Sequence, residues 1–380
     1  MRGSIRQRGK KYEIVVTIGT DPITGKRKQK TKSGFIRKKD AEKALRSWLT
    51  ELDEEQYVEP SKETLAEYLE YWFAAHYQKR IKETTAASRS YMMQKHLTDK
   101  NPVAKKKLAA VTTFDIDSLY NQKIDEDYSP NYIRKIHQML NQAFEQARKW
   151  KKVGSNPVVD ASPPALKKEE MNIWSYKELH TFLNHCEEEW HKLTFLLAVY
   201  TGMRRGEILG LKWSAIDFSR KVIDVKQALV YVPGKGYTLS TLKTKNARRQ
   251  IPISPQVMEA LLSHRKKQDE LKSLLEDHYD KQDLVICTHF GTPQDPQNIL
   301  RVMKRIIEVS KVPAIRFHDL RHTHASILIS EGVDLVKVSK RLGHANAKIT
   351  LEYYAHLMPN EDDQVADIFD QAMNRTKEAM

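Results

Sequence analysis

Three textures of apolar and polar positions follow one another along the chain. In the first, Tyr12-Glu-Ile-Val-Val-Thr-Ile18 is a β-branched run between Gly9 and Gly19 and predicts a strand. Residues 3–8 allow an earlier strand, and Asp21-Pro-Ile-Thr-Gly25 has turn chemistry. Lys26 to Lys32 alternates basic residues with Gln and Thr, which suits an exposed strand. Over 38–54, Ala41, Ala44, Leu45, Trp48 and Leu49 recur on one helical face. From Thr64 the period becomes helical. Helices are predicted at Leu65–Phe73, Glu83–His96, Thr113–Asp125 with Thr113 as N-cap, and Ser129–Lys151, the last ended by Gly154 and Pro157.

The third texture runs from about 170 to 356 and mixes both periods. Helices are expected at Ser175–Glu187, Glu188–Thr201, Arg204–Leu211, Pro255–Glu270, Asn298–Ser310, His318–Ser330, Leu335–Leu342 and Ile349–His356. Short strands are expected at Lys221–Val225, Ala228–Val232, Gln250–Ser254 and Leu284–His289. Two linkers separate the textures: the acidic run from Glu51 to Glu55 with Tyr57-Val-Glu-Pro60, and the proline-stiffened Asn156-Pro to Ser162-Pro-Pro164. The pattern describes a multidomain α+β chain. Residues 1–58 form a small three-stranded sheet plus helix, 62–158 a four-helix bundle, and 168–358 a helix-rich α+β domain with a small antiparallel sheet. In 359–380, Val365, Ile368, Phe369 and Ala372 recur at helical spacing, as in an amphipathic tail helix.

Composition sharpens this picture in one respect. The formal net charge is +15, and residues 1–50 hold 15 Lys/Arg against 4 Asp/Glu, so +11 of it lies in the first fifty residues. A concentrated cationic module points to a polyanion, most simply nucleic acid, and a major groove admits a two-stranded ribbon. The bundle adds Lys79, Arg80, Lys82, Lys105, Lys106, Lys107, Arg134, Lys135, Arg148, Lys149, Lys151 and Lys152, a set read either as a solvated face or as phosphate contacts. No apolar run is long enough to cross a bilayer, and Met1-Arg-Gly-Ser-Ile-Arg-Gln-Arg has no signal-type apolar stretch. Cys186 and Cys287 lie far apart in apolar contexts, as buried thiols do in a reducing cytoplasm, and cannot build a cysteine zinc site.

The chemistry is concentrated in His318-Asp-Leu-Arg-His-Thr-His324, Leu342-Gly-His344 and Tyr353-Tyr354, with an upstream Thr201-Gly-Met-Arg204. Singly, each has an ordinary reading: a surface arginine, a core histidine, a rim aromatic. Together they meet the needs of phosphodiester cleavage without a metal. Those needs are cations for the non-bridging oxygens, an in-line nucleophile and an acid for the departing sugar oxygen. Arginine's planar, always-charged fork suits the first task, and Arg204 and Arg321 are the candidates. His318 lies three residues before Arg321, on the same helical face. His322 adds an i, i+4 spacing to His318 that a metal could use, but Arg321 would put a fixed positive charge beside the cation, so no metal or other cofactor is expected.

These motifs resemble a known family. Thr201-Gly-Met-Arg-Arg-Gly-Glu-Ile-Leu-Gly-Leu-Lys-Trp213 is similar to the first box of the tyrosine recombinases, the phage-integrase family. His318 to His324 is similar to the second box, and Leu342-Gly-His344 with Tyr354-Ala-His356 to the final histidine and nucleophile motif. The resemblance implies that Arg204 and Arg321 clamp the scissile phosphate, and that His318 donates to it and assists proton transfer. It implies that His344 bonds a non-bridging oxygen and that Tyr354 attacks, leaving a 3′-phosphotyrosine and a free 5′-hydroxyl. A lysine on a β-hairpin would serve as general acid. Lys243, in Leu242-Lys-Thr-Lys-Asn-Ala-Arg-Arg-Gln-Ile-Pro-Ile253, matches it, with Lys235 in Pro233-Gly-Lys-Gly236 a rival. Tyr353 competes with Tyr354, but Tyr-x-His fits only the latter. Glu207 is expected to hold Arg204 or a helix end.

The resemblance further implies an arm-type DNA-binding domain at 1–58, a core-binding domain at 62–158, and a bundle and catalytic domain that clamp double-stranded DNA from opposite faces. A homotetramer and a Holliday junction would follow, with DNA-bending or directionality factors as further partners. The tail helix would pack on its own domain or on a neighbouring protomer. A type IB topoisomerase shares the chemistry, and a non-catalytic DNA-binding regulator is the reading from another class.

Overall fold

The computed structural model describes residues 3–20, 27–53, 62–166, 171–242, 245–344 and 346–354. The expected turn at 21–25, part of the first linker, Lys243 and the tail of 359–380 lie outside the described residues. The chain forms two compact units, residues 1–168 and 169–380.

The first unit opens with an antiparallel sheet in the order β1-β2-β3: β1 (Gly3–Arg8), β2 (Lys11–Thr20) and β3 (Arg27–Phe35). Alternation along β2 turns Tyr12, Ile14 and Val16 toward α1 (Lys38–Asp53), where they meet Ala41, Ala44, Leu45, Trp48 and Leu49, the predicted face. The Lys32 ammonium lies 4.6 Å from the Trp48 ring centroid, so a charge covers the edge of this small core. The same alternation sends Arg6 and Arg8 of β1 to the opposite face, with Arg6 paired in register to Glu13.

A separate hydrophobic core joins α2 (Leu65–Trp72), α3 (Glu83–His96), α4 (Thr113–Asp125) and α5 (Pro130–Lys149). Its helix starts follow from local chemistry. Thr64 with Glu67, and Thr112 with Asp115, form reciprocal capping boxes, and Ser129 caps the helix that Pro130 begins. The expected N-cap Thr113 is corrected to Thr112, because only Thr112 has a carboxylate three residues on. The Thr113 hydroxyl instead donates to the Pro157 carbonyl at 2.9 Å.

The second unit contains α6 (Tyr176–Asn184), α7 (Glu189–Thr201), α8 (Arg205–Leu209), β4 (Ile216–Asp217), β5 (Val222–Val225), β6 (Gln227–Val232), β7 (Gly236–Thr241), β8 (Arg249–Pro252), α9 (Pro255–Leu275), α10 (Pro296–Ser310), α11 (Asp319–Ser330), α12 (Leu335–Leu342) and α13 (Ala347–Tyr354). Strands β4-β5-β8 form one antiparallel sheet and β6-β7 a hairpin. The expected strand at Leu284–His289 does not form. Leu284, Val285 and Ile286 are buried, but the segment makes only isolated bridges, Leu284 to Lys212 and Cys287 to Pro293. Burial on all sides gave it an apolar run that periodicity cannot distinguish from a strand. Cys186 and Cys287 carry free thiols, the second only half-buried.

Gly210 sets the approach of α8 to β6. A Cβ there would stand 2.6 Å from the Leu229 nitrogen and 2.9 Å from the Ala228 carbonyl carbon, both backbone atoms. Gly210→Ala should therefore cost about 1–3 kcal/mol of stability, because a backbone cannot rotate aside as a side chain can. Chemical denaturation of the variant against the parent chain checks this.

Candidate active site

The site is built where α7 and α12 end. Helix C-termini leave carbonyls without intrahelical donors and carry partial negative charge, so guanidinium groups settle there. Helix α7 closes through Gly202 in the left-handed region (φ 64°), and α12 closes through Gly343 (φ 71°). Arg321, on α11 and only 3% exposed, donates to the Gly202 carbonyl at 2.8 Å and the Leu342 carbonyl at 2.6 Å. Its fork thus joins three segments of sequence.

Arg204 immediately precedes α8. Glu207 accepts its backbone N–H at 3.0 Å and its guanidinium at 2.9 Å. The Glu207 carboxylate, only 1% exposed as a side chain, also receives Arg249 of β8 at 2.9 Å. Arg249 in turn donates through Nε to the Arg341 carbonyl at 2.6 Å. Arg341 donates to the Tyr200 carbonyl at 2.9 Å, and its Nε lies 3.1 Å from His324 Nε2. The expected structural role of Glu207 is seen in this bridge between two guanidiniums. Arg249 and Arg341 were not singled out from sequence. Each looks like a surface cation until a buried carboxylate 42 residues away, or a helix end 141 residues away, is known to be its partner.

The histidines and phenols complete the cluster. His344 follows the Gly343 turn, and its Nδ1 lies 2.8 Å from the hydroxyl of buried Thr350 on α13. The His318 and His322 rings sit edge to face with centroids 5.0 Å apart. Tyr354, 1% exposed, packs beside Ala325, Ile329, Val338 and Leu342, and its hydroxyl lies 2.5 Å from His322 Nδ1. Tyr353 is 44% exposed, so the two adjacent phenols do face differently. Lys235 is exposed in the turn between β6 and β7, while Lys243, between β7 and β8, lies outside the described residues.

Electrostatically this is a site short of negative charge. Burial first, and then the charges of Arg204 and Arg249, pull Arg321 down to about 9. His344 falls to about 4 through burial and then Arg321 and Arg204. His318 falls to about 4 through desolvation and then His322, Arg321 and Arg204. His318 is exposed as a residue, so the cationic neighbours are the firmer cause there. Burial raises the Tyr354 phenol, with Arg321 opposing. Burial would raise Glu207, but hydrogen bonds and charge from Arg249 and Arg204 hold it below its ordinary value. An anion placed among these groups would reverse the penalties on Arg321, His318 and His344 together.

The arrangement is an unmet demand for negative charge beside a phenol. A family model for the phage integrase family matches residues 173–361, and one for an arm DNA-binding domain matches residues 4–52. The chain belongs to the phage integrase family and is a tyrosine site-specific recombinase. It is 27% identical over 361 residues to the ICEBs1 integrase of Bacillus subtilis, a match covering 94% of this chain and 96% of that protein. It is 29% identical over 372 residues to a XerC-like tyrosine recombinase of Caldanaerobacter subterraneus, covering 92% and 93% of the two. Among solved structures, the Tn1549 transposon integrase in complex with a circular intermediate DNA shares the fold with a TM-score of 0.69. That match has 20% identity and covers 81% of this chain and 99% of that one. The lambda integrase dimer bound to a COC′ core site shares it at a TM-score of 0.53, with 20% identity over 92% and 93% of the chains.

Two predictions follow from the electrostatics. Glu207→Gln leaves the buried Arg249 charge without its partner, and should cost about 3–5 kcal/mol in chemical denaturation. Acid should destabilise the second unit well before carboxylates titrate. His324, held to about 3 by burial first and then by Arg341, and His344, held to about 4, refuse protons that the unfolded chain accepts below the ordinary value of 6.5. Stability is therefore full above 6.5 and declines as pH falls toward 4, with Glu207 adding to the loss below its ordinary 4.5. Thermal unfolding at pH 5 should occur at a lower temperature than at pH 7.

Proposed function

We propose that this chain integrates and excises a mobile DNA element, using Tyr354 as nucleophile and a 3′-phosphotyrosyl intermediate. The observation that carries the proposal is the convergence of Arg204, Arg321 and His344 on one charge-starved site beside the Tyr354 hydroxyl. Arg204 and Arg321 neutralise the non-bridging oxygens as the phosphorane forms, with His344 bonding one of them. His318 donates to the phosphate and assists proton transfer. The lysine that protonates the departing 5′ oxygen is Lys243, with Lys235 as its rival. Covalent phosphotyrosine conserves the energy of the broken bond, so the 5′-hydroxyl of a second duplex can attack it without ATP.

The rest of the chain supplies address and assembly. Residues 1–58 hold arm sites through the basic sheet, residues 62–158 and 168–358 clamp double-stranded core DNA, and the segment 359–380 serves assembly. Linking two DNA-binding modules raises affinity through effective concentration and lets one protomer bridge distant sites. Exchange between two duplexes calls for four protomers and passes through a Holliday junction, with DNA-bending or directionality factors selecting the direction. Among the described residues no helix is long and apolar enough to cross a membrane. On this reading the work is done in the bacterial cytoplasm, at the host nucleoid.

A nicked duplex carrying the core site, once direct repeats flanking the element have identified that site, traps covalent protein and tests this directly. Tyr354→Phe should abolish the adduct while gel-shift affinity holds, and Arg321→Ala should slow its formation by about 100-fold to 1,000-fold. Adduct formation with relaxation but no joining of two sites would indicate a topoisomerase. Binding without any adduct would leave a regulator.

A further inference from the structure

One short contact in the site is not used by the mechanism above. His322 follows Arg321 on α11, and its Nδ1 is 2.5 Å from the Tyr354 hydroxyl. The sequence offered His322 only as half of a metal pair. The structure places it differently: half-buried, edge-on to His318, and the hydrogen-bond partner of the phenol.

We infer that His322 is the general base of the cleavage step, taking the phenol proton on Nδ1 as the Tyr354 oxygen attacks phosphorus. The inference rests on the reading of Tyr354 as nucleophile. Geometry comes first in naming a base, and His322 is already within direct hydrogen-bond reach of the proton to be moved. With its own proton on Nε2, the neutral ring presents the Nδ1 lone pair to the phenol O–H. Burial holds the imidazole below its ordinary value, opposed by Asp319 and supported by the charges of Arg321 and Arg316.

The balance of the step is closed. The Tyr354 oxygen–phosphorus bond forms as the phosphorus–5′-oxygen bond breaks. The phenol proton passes to His322, and the 5′ oxygen takes a proton from the hairpin lysine. In the reverse direction the imidazolium returns its proton to the departing phenol. Imidazolium formation beside Arg321 needs a counter-charge, and Asp319 supplies it. That carboxylate is 1% exposed and lies one helical turn before His322. It is held in place by the Arg316 backbone N–H at 2.7 Å and by Nη2 of the Arg316 guanidinium at 3.1 Å. The histidine of the second box therefore divides its work: His318 faces the phosphate and His322 faces the nucleophile.

The test uses the full chain, the nicked core duplex, and the same duplex with a sulfur at the bridging 5′ position. Such a sulfur leaves without needing a proton. His322→Ala should bind DNA as the parent does and form adduct about 100-fold more slowly on both duplexes. A fluorinated tyrosine at position 354, whose phenol ionises more readily, should restore most of that rate. His322→Asn keeps a hydrogen-bonding group near Nδ1 but takes no proton, and should be as slow as the alanine variant. Parent-like rates in His322→Ala, or recovery in His322→Asn, would overturn the inference. So would rescue by the sulfur duplex, which would make His322 the leaving-group acid. A defect that fluorination leaves unchanged would reduce His322 to packing. If the parent chain forms no adduct on either duplex, the reading of Tyr354 itself falls, and the inference with it.

Discussion

The fork of Arg321 is the constraint on which the rest of the site depends. Its two donors reach carbonyls that lie 119 and 21 residues away in sequence, one just past the end of α7 and one at the end of α12. Neither carbonyl has an intrahelical donor, and both sit at the negative end of a helix. A single buried cation thereby fixes how two helix ends approach α11. Arg204 begins two residues after the first of those carbonyls, and His344 two residues after the second. Their positions follow from the same contact, so the group proposed to gather phosphate also assembles its surroundings.

Burial makes this arrangement costly in isolation. A guanidinium that is nearly inaccessible and stands near two others has lost much of its hydration without meeting a full counter-charge. Glu207 is the only carboxylate seen to pair with Arg204 and Arg249 among the described residues, and it is shared between them. The remaining imbalance is what a phosphodiester relieves. Binding and catalytic charge stabilisation are then two readings of one deficit, preorganised before any substrate arrives.

Much of this was legible in the sequence, for identifiable reasons. The helix limits 335–342 were recovered because apolar spacing, the Asp334 cap and the Gly343 terminus agree there. Arg204, Arg321, His318, His344 and Tyr354 could be singled out because motif order constrains them, and the fold brings them near one another. Strand β7 was missed because Gly236–Thr241 is half-buried nearly throughout and offers no clear alternation. The segment after Leu284 was overread for the opposite reason, since complete burial removes alternation. Arg249 and Arg341 escaped notice, and His322 was weighed only as half of a metal pair, because their contacts depend on tertiary partners: a shared carboxylate, a helix terminus and a phenol 32 residues away.

The hydrogen bond between His344 and Thr350 carries a mechanical implication. Thr350 stands one turn before Tyr354 on the short helix α13, so the anchor of the imidazole and the Tyr354 hydroxyl ride on the same rigid piece. A swing of that piece which withdraws the phenol must also release the ring. Under the roles proposed above, nucleophile and phosphate ligand are geared together, and retraction of Tyr354 disarms both positions at once.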